Sequence, residues 1–399
     1  MATTNTMPDT RSESSRPEGG LLVLLPTMPK PKLDSLLASL TASLPAENLL
    51  VAVPEALPPS ETYPALKLVE VPASKSSWVL TAADYLNAHQ LAQKHGARAI
   101  LMLGPESDSL SSSGLRDLAN AVTNAPADLA VPRYQLPPRA GVANSAIFYP
   151  LSRALFASRA RFPQALDLAL SIRMAERVAV TAQRFVGLGQ SDALLWPVSE
   201  AAAAGLTIDE VDVGPRELPQ PSEPDLNAVL PYITGSLFAD LDVKAAYWQR
   251  ARVTPAARKV LPTEQHGTAD AKAEIESMLQ GFRLAYSNLQ EIWGLVLSPN
   301  SMLGLKRLAL IDAAAFRMPE HLWARIVYDF LIAYRLRTIN RGHLLGSLIP
   351  LYLAWVASHI NVIASGSDPE RHIEALAAAF EADKPYLVAR WRWPDRFNP

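Results

Sequence analysis

The chain has 399 residues, 49% of them hydrophobic, and a formal net charge of -2. This length predicts two domains with a large core, and the charge balance argues against nucleic acid or an anionic membrane surface as a partner. Cysteine is absent. Its absence excludes disulfides, thiolate metal sites and a cysteine nucleophile, and it fits a cytoplasmic protein.

Residues 1–20 are rich in Ser, Thr, Pro and charge, and they contain no apolar segment. We therefore expect a disordered tail rather than a secretory signal. Late in the chain, the apolar stretch Leu344–Ile363 is interrupted by Ser347, Pro350 and His359. A transmembrane helix needs about 20 nearly uninterrupted apolar residues. This stretch is therefore predicted to be a buried helix, and no transmembrane segment is expected.

Between residues 21 and 213, short apolar runs alternate with segments of helical spacing. The predicted strands are 21–25, 49–53, 66–71, 97–103 and 128–131, and the predicted helices between them are 33–44, 81–95 and 114–122. This alternation predicts an α/β domain built on a mainly parallel sheet. Ligands of such sheets bind beyond the carboxyl ends of the strands. Here those ends lie near Pro26, Glu55, residues 72–73 and residues 104–106.

Residues 214–224 contain four prolines and read as an extended linker. The signals after the linker are helical almost to the end of the chain. Helices are predicted over 225–248, 272–296, 320–337, 343–363 and 369–390, with a loop at 255–268. We therefore expect an α/β domain over 21–213 and a helical domain over 225–399.

Three consecutive motifs resemble a known family. They read DLAVPRY at 128–134, ANSAIFYPLSRAL at 143–155 and RFPQALDLALS at 161–171. They are similar to the VPRY, TNxxxYPLxRALxG and RxPxGGDFGxS motifs of bacterial GT-A-fold glycosyltransferases related to mannosylglycerate synthase. The segments 316–330 and 343–352 resemble the helical C-terminal domain of the same family.

The resemblance implies transfer of a hexose from a nucleotide-diphosphate sugar to a small acceptor, with Mg²⁺ or Mn²⁺ bridging the diphosphate. Such a metal needs hard oxygen ligands. The family's Asp-x-Asp motif falls on Gly104-Pro105-Glu106, so Glu106 is the predicted metal ligand and Asp108 a neighbouring candidate. The alternative is that both acids belong to a solvated loop.

Donor contacts are predicted at Pro26 and Glu55 because they end strands at the ligand-binding edge, and the resemblance implies a further contact at Lys75. Lys75 matches the lysine of the family's Gly-Lys-Gly run, although serines replace the glycines here; a solvated lysine is the alternative. Asp167 matches an acid that the family uses near the transferred sugar. An acid in an apolar stretch is a plausible functional group. The alternative for Asp167 is a helix cap or an ion pair with Arg161 or Arg173.

Two further groups of the family pattern are missing. Leu194 stands where the family has an acid before a tryptophan, and the linker offers Glu217 but no histidine. Two hypotheses therefore remain. The chain is either a working glycosyltransferase with an altered site, or a catalytically inactive relative that acts as a binding or scaffolding module. The apolar helical domain permits a homo-oligomer in either case.

Overall fold

A computed structural model describes residues 20–25, 30–45, 49–54, 63–76, 79–137, 139–218, 226–251 and 271–394. Pro26 and Glu55 lie outside these residues. So do residues 1–19 of the predicted tail, residues 219–224 of the predicted linker and the predicted loop at 255–268.

Seven strands form one sheet in the order β3-β2-β1-β4-β6-β5-β7. Only β6 runs antiparallel to its neighbours, β4 and β5. A mainly parallel sheet was predicted, and the strands confirm it. Their bounds are β1 Leu21–Leu24, β2 Leu49–Pro54, β3 Lys67–Val71, β4 Ala99–Met102, β5 Leu129–Gln135, β6 Leu168–Ser171 and β7 Ile208–Pro215.

The central strands consist of uninterrupted apolar residues because both of their faces are covered. Val23 of β1 is paired with Val51 of β2 and with Leu101 of β4. All three side chains are fully buried. Parallel strands buried on both faces lose the alternation of polar and apolar residues, which is why these runs were recognisable in the sequence.

Among the described residues, six helices accompany the sheet: α1 Lys30–Ser43, α2 Ala82–His95, α3 Ser112–Thr123, α4 Tyr149–Phe156, α5 Ile172–Gly187 and α6 Pro197–Ala204. A π-helical segment, Asn144–Phe148, leads directly into α4. The predicted end of α2 at Gly96 is confirmed, since Gly96 takes the left-handed conformation (φ 68°) that closes many helices.

The rest of the described chain is helical, as predicted: α7 Leu226–Val243, α8 Ala245–Trp248, α9 Ala271–Val296, α10 Pro299–Ala309, α11 Glu320–Leu336, α12 Arg341–Ala364 and α13 Pro369–Arg392. Two details differ. The helix predicted over 225–248 is divided at Lys244, and α10 was not predicted. Among the described residues, α12 alone is long and apolar enough to cross a membrane, but 72% of its apolar window is buried in the protein. It is the buried helix that the sequence predicted.

The helical region and the sheet region pack together through α4 and the π-helical segment. Residues 146–148 and four residues of α4 belong to the same buried apolar cluster as α7 to α13. The indole Nε1 of Trp323 donates to the carbonyl of Ala146 at 2.8 Å. Arg153 of α4 forms ion pairs with Glu374 and Glu381 of α13. The strands and the remaining sheet helices form a separate buried apolar cluster, so α4 and the π-helical segment are the part of the sheet region that packs into the helical core.

Candidate functional site at the carboxyl edge of the sheet

The end of β4 has no room for the first acid of an Asp-x-Asp motif. A Cβ atom on Gly104 would lie 2.8 Å from the carbonyl oxygen of Leu166 and 3.0 Å from the Leu166 Cβ. Contacts below about 3 Å force the backbone to move. Glycine at position 104 is therefore required by the close approach of the chain that leads into β6.

Glu106 is held in a tight turn beyond β4. Its backbone is left-handed (φ 63°), which is uncommon for a residue other than glycine. Its carbonyl accepts a hydrogen bond from the Oγ of Ser109 at 2.6 Å. Its carboxylate forms an ion pair with Lys32 of α1, and its side chain is 26% exposed. Glu106 therefore lies at the predicted edge, where an ammonium group neutralises it.

Asp108 lies in the 3₁₀ turn Ser107–Ser109 that follows. Its Oδ1 atom is buried and makes no hydrogen bond to the described residues. The Ser107 Oγ atom is also buried and likewise makes no hydrogen bond to the described residues. The Asp108 charge is one of those that raise the pKa of the nearby Arg216 guanidinium. Asp108 is thus half-buried, with one carboxylate oxygen inside the protein.

These acids do not make a metal site by themselves. Within the part of the chain that the structure describes, no group of three His, Asp or Glu side chains could hold a metal ion. A hard divalent cation takes six or more oxygen ligands, and Glu106 already neutralises Lys32. Ligation by Glu106 and Asp108 stays a prediction that these contacts do not support.

Asp167 is completely buried and fully hydrogen-bonded. Its carboxylate accepts from the Gly104 backbone N–H at 3.1 Å, from the Tyr134 hydroxyl at 2.8 Å and from Arg216 Nε at 2.9 Å. Both members of the Arg216–Asp167 ion pair are 0% exposed. Burial, together with the Asp167 charge, raises the pKa of Tyr134 well above its ordinary value, so Tyr134 remains a donor.

The cation that pairs with Asp167 differs from the two candidates considered from the sequence. Arg161 pairs with Glu370, and Arg173 pairs with Asp128. Both candidates are close to Asp167 in sequence, whereas Arg216 reaches it from the end of β7. The expected local ion pair with Arg161 or Arg173 is therefore wrong, and Asp167 pairs instead with Arg216, 49 positions along the chain.

Arg216 is the residue that sequence reasoning missed. It follows β7 directly, and it also donates to the Pro105 carbonyl at 2.6 Å and to the Ser109 Oγ at 3.2 Å. It thus ties together the turn after β4, the start of β6 and the end of β7. The sequence offered no signal for this role, because position 216 lies in a proline-rich stretch that read as a linker. Its neighbour Glu217 is exposed.

Lys75 is exposed on the loop that follows β3. The loop is anchored beside it, since the Ser74 hydroxyl donates to Asp84 at 2.9 Å. Asp84 also accepts from the Thr81 N–H at 2.8 Å at the start of α2. Burial raises the pKa of Asp84, and this effect outweighs the hydrogen bonds, which act to lower it. Lys75 therefore projects from a fixed loop at the carboxyl edge of the sheet.

Leu194 occupies an apolar environment where the family pattern has an acid. It is 3% exposed and packs with Val79 and Leu166. Leu166 is also the residue whose carbonyl fills the space beside Gly104. An apolar cluster therefore takes up the volume around both missing acids.

No family model matches the chain, and no curated protein matches it. The similar solved structures include glucosyl-3-phosphoglycerate synthase from Mycobacterium tuberculosis with Mn²⁺, UDP-glucose and phosphoglyceric acid. Its identity is 14% and its TM-score 0.37, over 56% of this chain and 80% of that one. The same enzyme with Mg²⁺ and UDP gives 15% identity and a TM-score of 0.37, over 56% and 79%. Values this low establish neither family membership nor a shared activity.

Proposed function

We propose that this protein binds a nucleotide-diphosphate sugar at the carboxyl edge of its sheet and transfers the hexose to a small acceptor in the cytoplasm. The observation that carries the proposal is the position of Lys75, an exposed cation on the loop that follows β3. Lys32 of α1 also reaches this edge, where it is paired with Glu106. Ligands of parallel sheets bind at this edge, and a cation there suits a diphosphate.

Asp167 acts as a positioning residue in this proposal. Its oxygens bind Gly104, Tyr134 and Arg216, so they hold the turn that carries Glu106. The family resemblance implies a place near the sugar, and a fully buried carboxylate can serve that place only by fixing the surrounding backbone. Because the residues present do not complete a metal site, the proposal includes no step through a metal.

A second candidate, the binding or scaffolding module, is favoured by a different observation. The space beside Gly104 is filled by Leu166, and Glu106 is paired with Lys32. A metal-bridged transfer therefore lacks its usual acids. The module would still bind the nucleotide, since Lys75 remains exposed at this edge.

The test measures the thermal stability of the full chain with a panel of nucleotide-diphosphate sugars that begins with UDP-glucose, in Mn²⁺ and in EDTA. A ligand that binds only the folded state raises stability as RT ln(1 + [L]/Kd). We expect stabilisation by one donor in both conditions. Lys75→Gln should weaken the binding of that donor severalfold. Lys67→Gln, at the amino end of the same strand, is the matched control and should leave it unchanged.

Turnover separates the two candidates. Hexose transfer to a small acidic acceptor, or slow hydrolysis of the donor, supports the enzyme. Binding of the donor without either reaction supports the module. If no nucleotide-diphosphate sugar stabilises the protein, or if Lys67→Gln weakens binding as much as Lys75→Gln, the proposed site is wrong.

A further inference from the structure

A cavity lies in the helical region. It has a volume of about 620 Å³ and is formed by one face of α10, the segment between α10 and α11, and the first turns of α11. Small-molecule sites in proteins commonly have volumes of roughly 300–1,000 Å³. The cavity shares no lining residue with the carboxyl-edge site, so neither the resemblance nor the proposed function accounts for it.

The lining of this cavity is positively charged. It contains Arg307, Arg317, Arg325 and His321, and no aspartate or glutamate. Arginine remains protonated in proteins at physiological pH. A concave surface lined by one sign of charge concentrates the electrostatic field within it. An anion is therefore the class of ligand that this lining attracts.

Two carboxylates next to the cavity are engaged elsewhere. Asp383 binds the Nε of Arg325 at 2.6 Å and its second guanidinium nitrogen as well. Glu320, between two lining residues, lies 3.5 Å from Nε2 of His372. Arg325 is thus neutralised by Asp383. Within the described part of the chain, no carboxylate pairs with Arg307 or Arg317.

The two arginines without a carboxylate partner differ in mobility. Arg317 is fixed, because it donates to the carbonyls of Phe316 at 3.0 Å and Asn361 at 2.9 Å. Arg307 is exposed on α10 and is free to turn toward a ligand. A fixed cation beside an adaptable one binds an anion at a small entropic cost, since only one side chain must be ordered.

Apolar side chains form much of the remaining lining, beside the polar Ser298, Asn300 and Ser301. Leu308 and Leu322 are buried, at 5% and 8% exposure, and Leu303 lies at the rim. A Cβ on Gly304 would lie 3.0 Å from a Leu322 methyl carbon, so α10 and α11 pack closely here. Apolar walls stabilise the apolar portion of a ligand in proportion to the area that they remove from water.

We propose that this cavity binds a small organic anion, with Arg307 and Arg317 binding its phosphate or carboxylate group and Leu308 and Leu322 contacting its apolar portion. The recognition combines charge-assisted hydrogen bonds with apolar contact. A bare inorganic anion gains only the first of these, and a neutral apolar molecule only the second.

The experiment titrates the full chain by calorimetry with phenyl phosphate, benzoate, inorganic phosphate and benzyl alcohol. We expect saturable one-site binding of at least one aryl anion, and weaker binding of inorganic phosphate and benzyl alcohol. Arg307→Gln should weaken the affinity for the aryl anion by about tenfold, because one charge-assisted hydrogen bond is lost. Arg307 is exposed on its helix, so the variant is expected to fold.

Lys306→Gln is the matched control. Lys306 is the exposed neighbour of Arg307 on α10 and does not line the cavity. It should leave the affinity unchanged. The proposal is overturned if neither aryl anion binds saturably, if Arg307→Gln binds as tightly as the wild type, or if Lys306→Gln loses as much affinity. Equal binding of inorganic phosphate and phenyl phosphate would overturn the apolar contact. A preference between the two aryl anions identifies the anionic group.

Discussion

At the scale of single residues, the Arg216–Asp167 ion pair is the most consequential interaction at the carboxyl edge. Both side chains are 0% exposed. Arg216→Met would leave the Asp167 carboxylate buried without its cation. The loss of one partner from a buried pair costs about 3–5 kcal/mol. We expect the free energy of unfolding to fall by about that amount, measured by urea denaturation.

Two controls test whether the loss of stability comes from the unpaired, buried Asp167 carboxylate. The double variant Asp167→Asn with Arg216→Met should be more stable than Arg216→Met alone, because no buried charge is left unpaired. Arg139→Met breaks a pair with Glu274 in which both side chains are more than 40% exposed. It should cost less than about 1 kcal/mol. An Arg216→Met variant as stable as Arg139→Met would contradict the prediction.

A second residue-scale prediction concerns His359. It is 2% exposed, and its Nδ1 lies 2.7 Å from Nδ1 of His372. Burial, the His372 ring and Arg161 lower its pKa from 6.5 to about 3. The folded protein therefore keeps His359 neutral over a range where the unfolded chain binds a proton. Its contribution to stability is present above pH 6.5 and is lost as the pH falls toward 3.

We expect His359→Gln to lose stability less steeply than the wild type as the pH falls from 7 to 4.5. Urea midpoints measured at several pH values give the comparison. The nearby Glu320, which pairs with His372, is present in both proteins, so its titration cancels in the difference. Parallel pH profiles for the two proteins would refute the assignment.

At the scale of elements, the end of β4 is constrained by the chain that enters β6. Gly104→Ala places a methyl group 2.8 Å from the Leu166 carbonyl oxygen. Overpacking of this kind costs about 1–3 kcal/mol. Gly281→Ala is the control, since a Cβ there meets nothing within 4 Å on helix α9. It should stabilise the protein by up to about 1 kcal/mol. Thermal unfolding of the two variants should therefore shift in opposite directions.

The same contact has a consequence for any attempt to rebuild the metal motif. Gly104→Asp places a larger side chain in the space that the Leu166 backbone occupies. We expect it to destabilise the protein more than Gly104→Ala does, and to confer no stabilisation by Mn²⁺. A Mn²⁺-dependent rise in the melting temperature of this variant would show that the backbone moves to admit the acid.

At the scale of the whole molecule, the sheet region and the helical region are coupled. The π-helical segment and α4 share one apolar cluster with the C-terminal helices. Arg153, whose side chain is 12% exposed, binds two acids of α13 across this contact. We expect calorimetry of the full chain to show one unfolding transition, at a lower temperature in Arg153→Met. Two separate transitions would mean that the regions unfold independently.

Most of the fold follows from local sequence patterns. The buried strands β1, β2 and β4 are continuous apolar runs, and α9, α11, α12 and α13 lie within a few residues of their predicted bounds. The four-residue strand β6 was not predicted, because an apolar run that short carries no period of its own. The division of the predicted helix at Lys244 and the existence of α10 were also missed, since both depend on packing against neighbouring helices.

The candidate site was predictable only in part. Glu106, Asp108 and Lys75 lie in loops at the expected edge, because parallel strands bring their carboxyl ends together. The partners of these residues were not predictable. Lys32 reaches Glu106 from α1, and Arg216 reaches Asp167 from the end of β7. Pairings across 74 and 49 positions leave no periodic signal in one sequence.

By itself, the sequence determined the class of fold and the end of the sheet at which Glu106, Asp108 and Lys75 lie. Hydrophobic periodicity and the alternation of strands with helices are local properties, so they can be read along the chain. Only the tertiary structure decided that Asp167 forms a buried ion pair with Arg216 and that Leu166 fills the space beside Gly104. It also decided that three arginines line one cavity among the helices. Burial and charge pairing depend on which segments are in contact in the folded protein. Those contacts join distant segments, so they cannot be read from the order of residues along the chain.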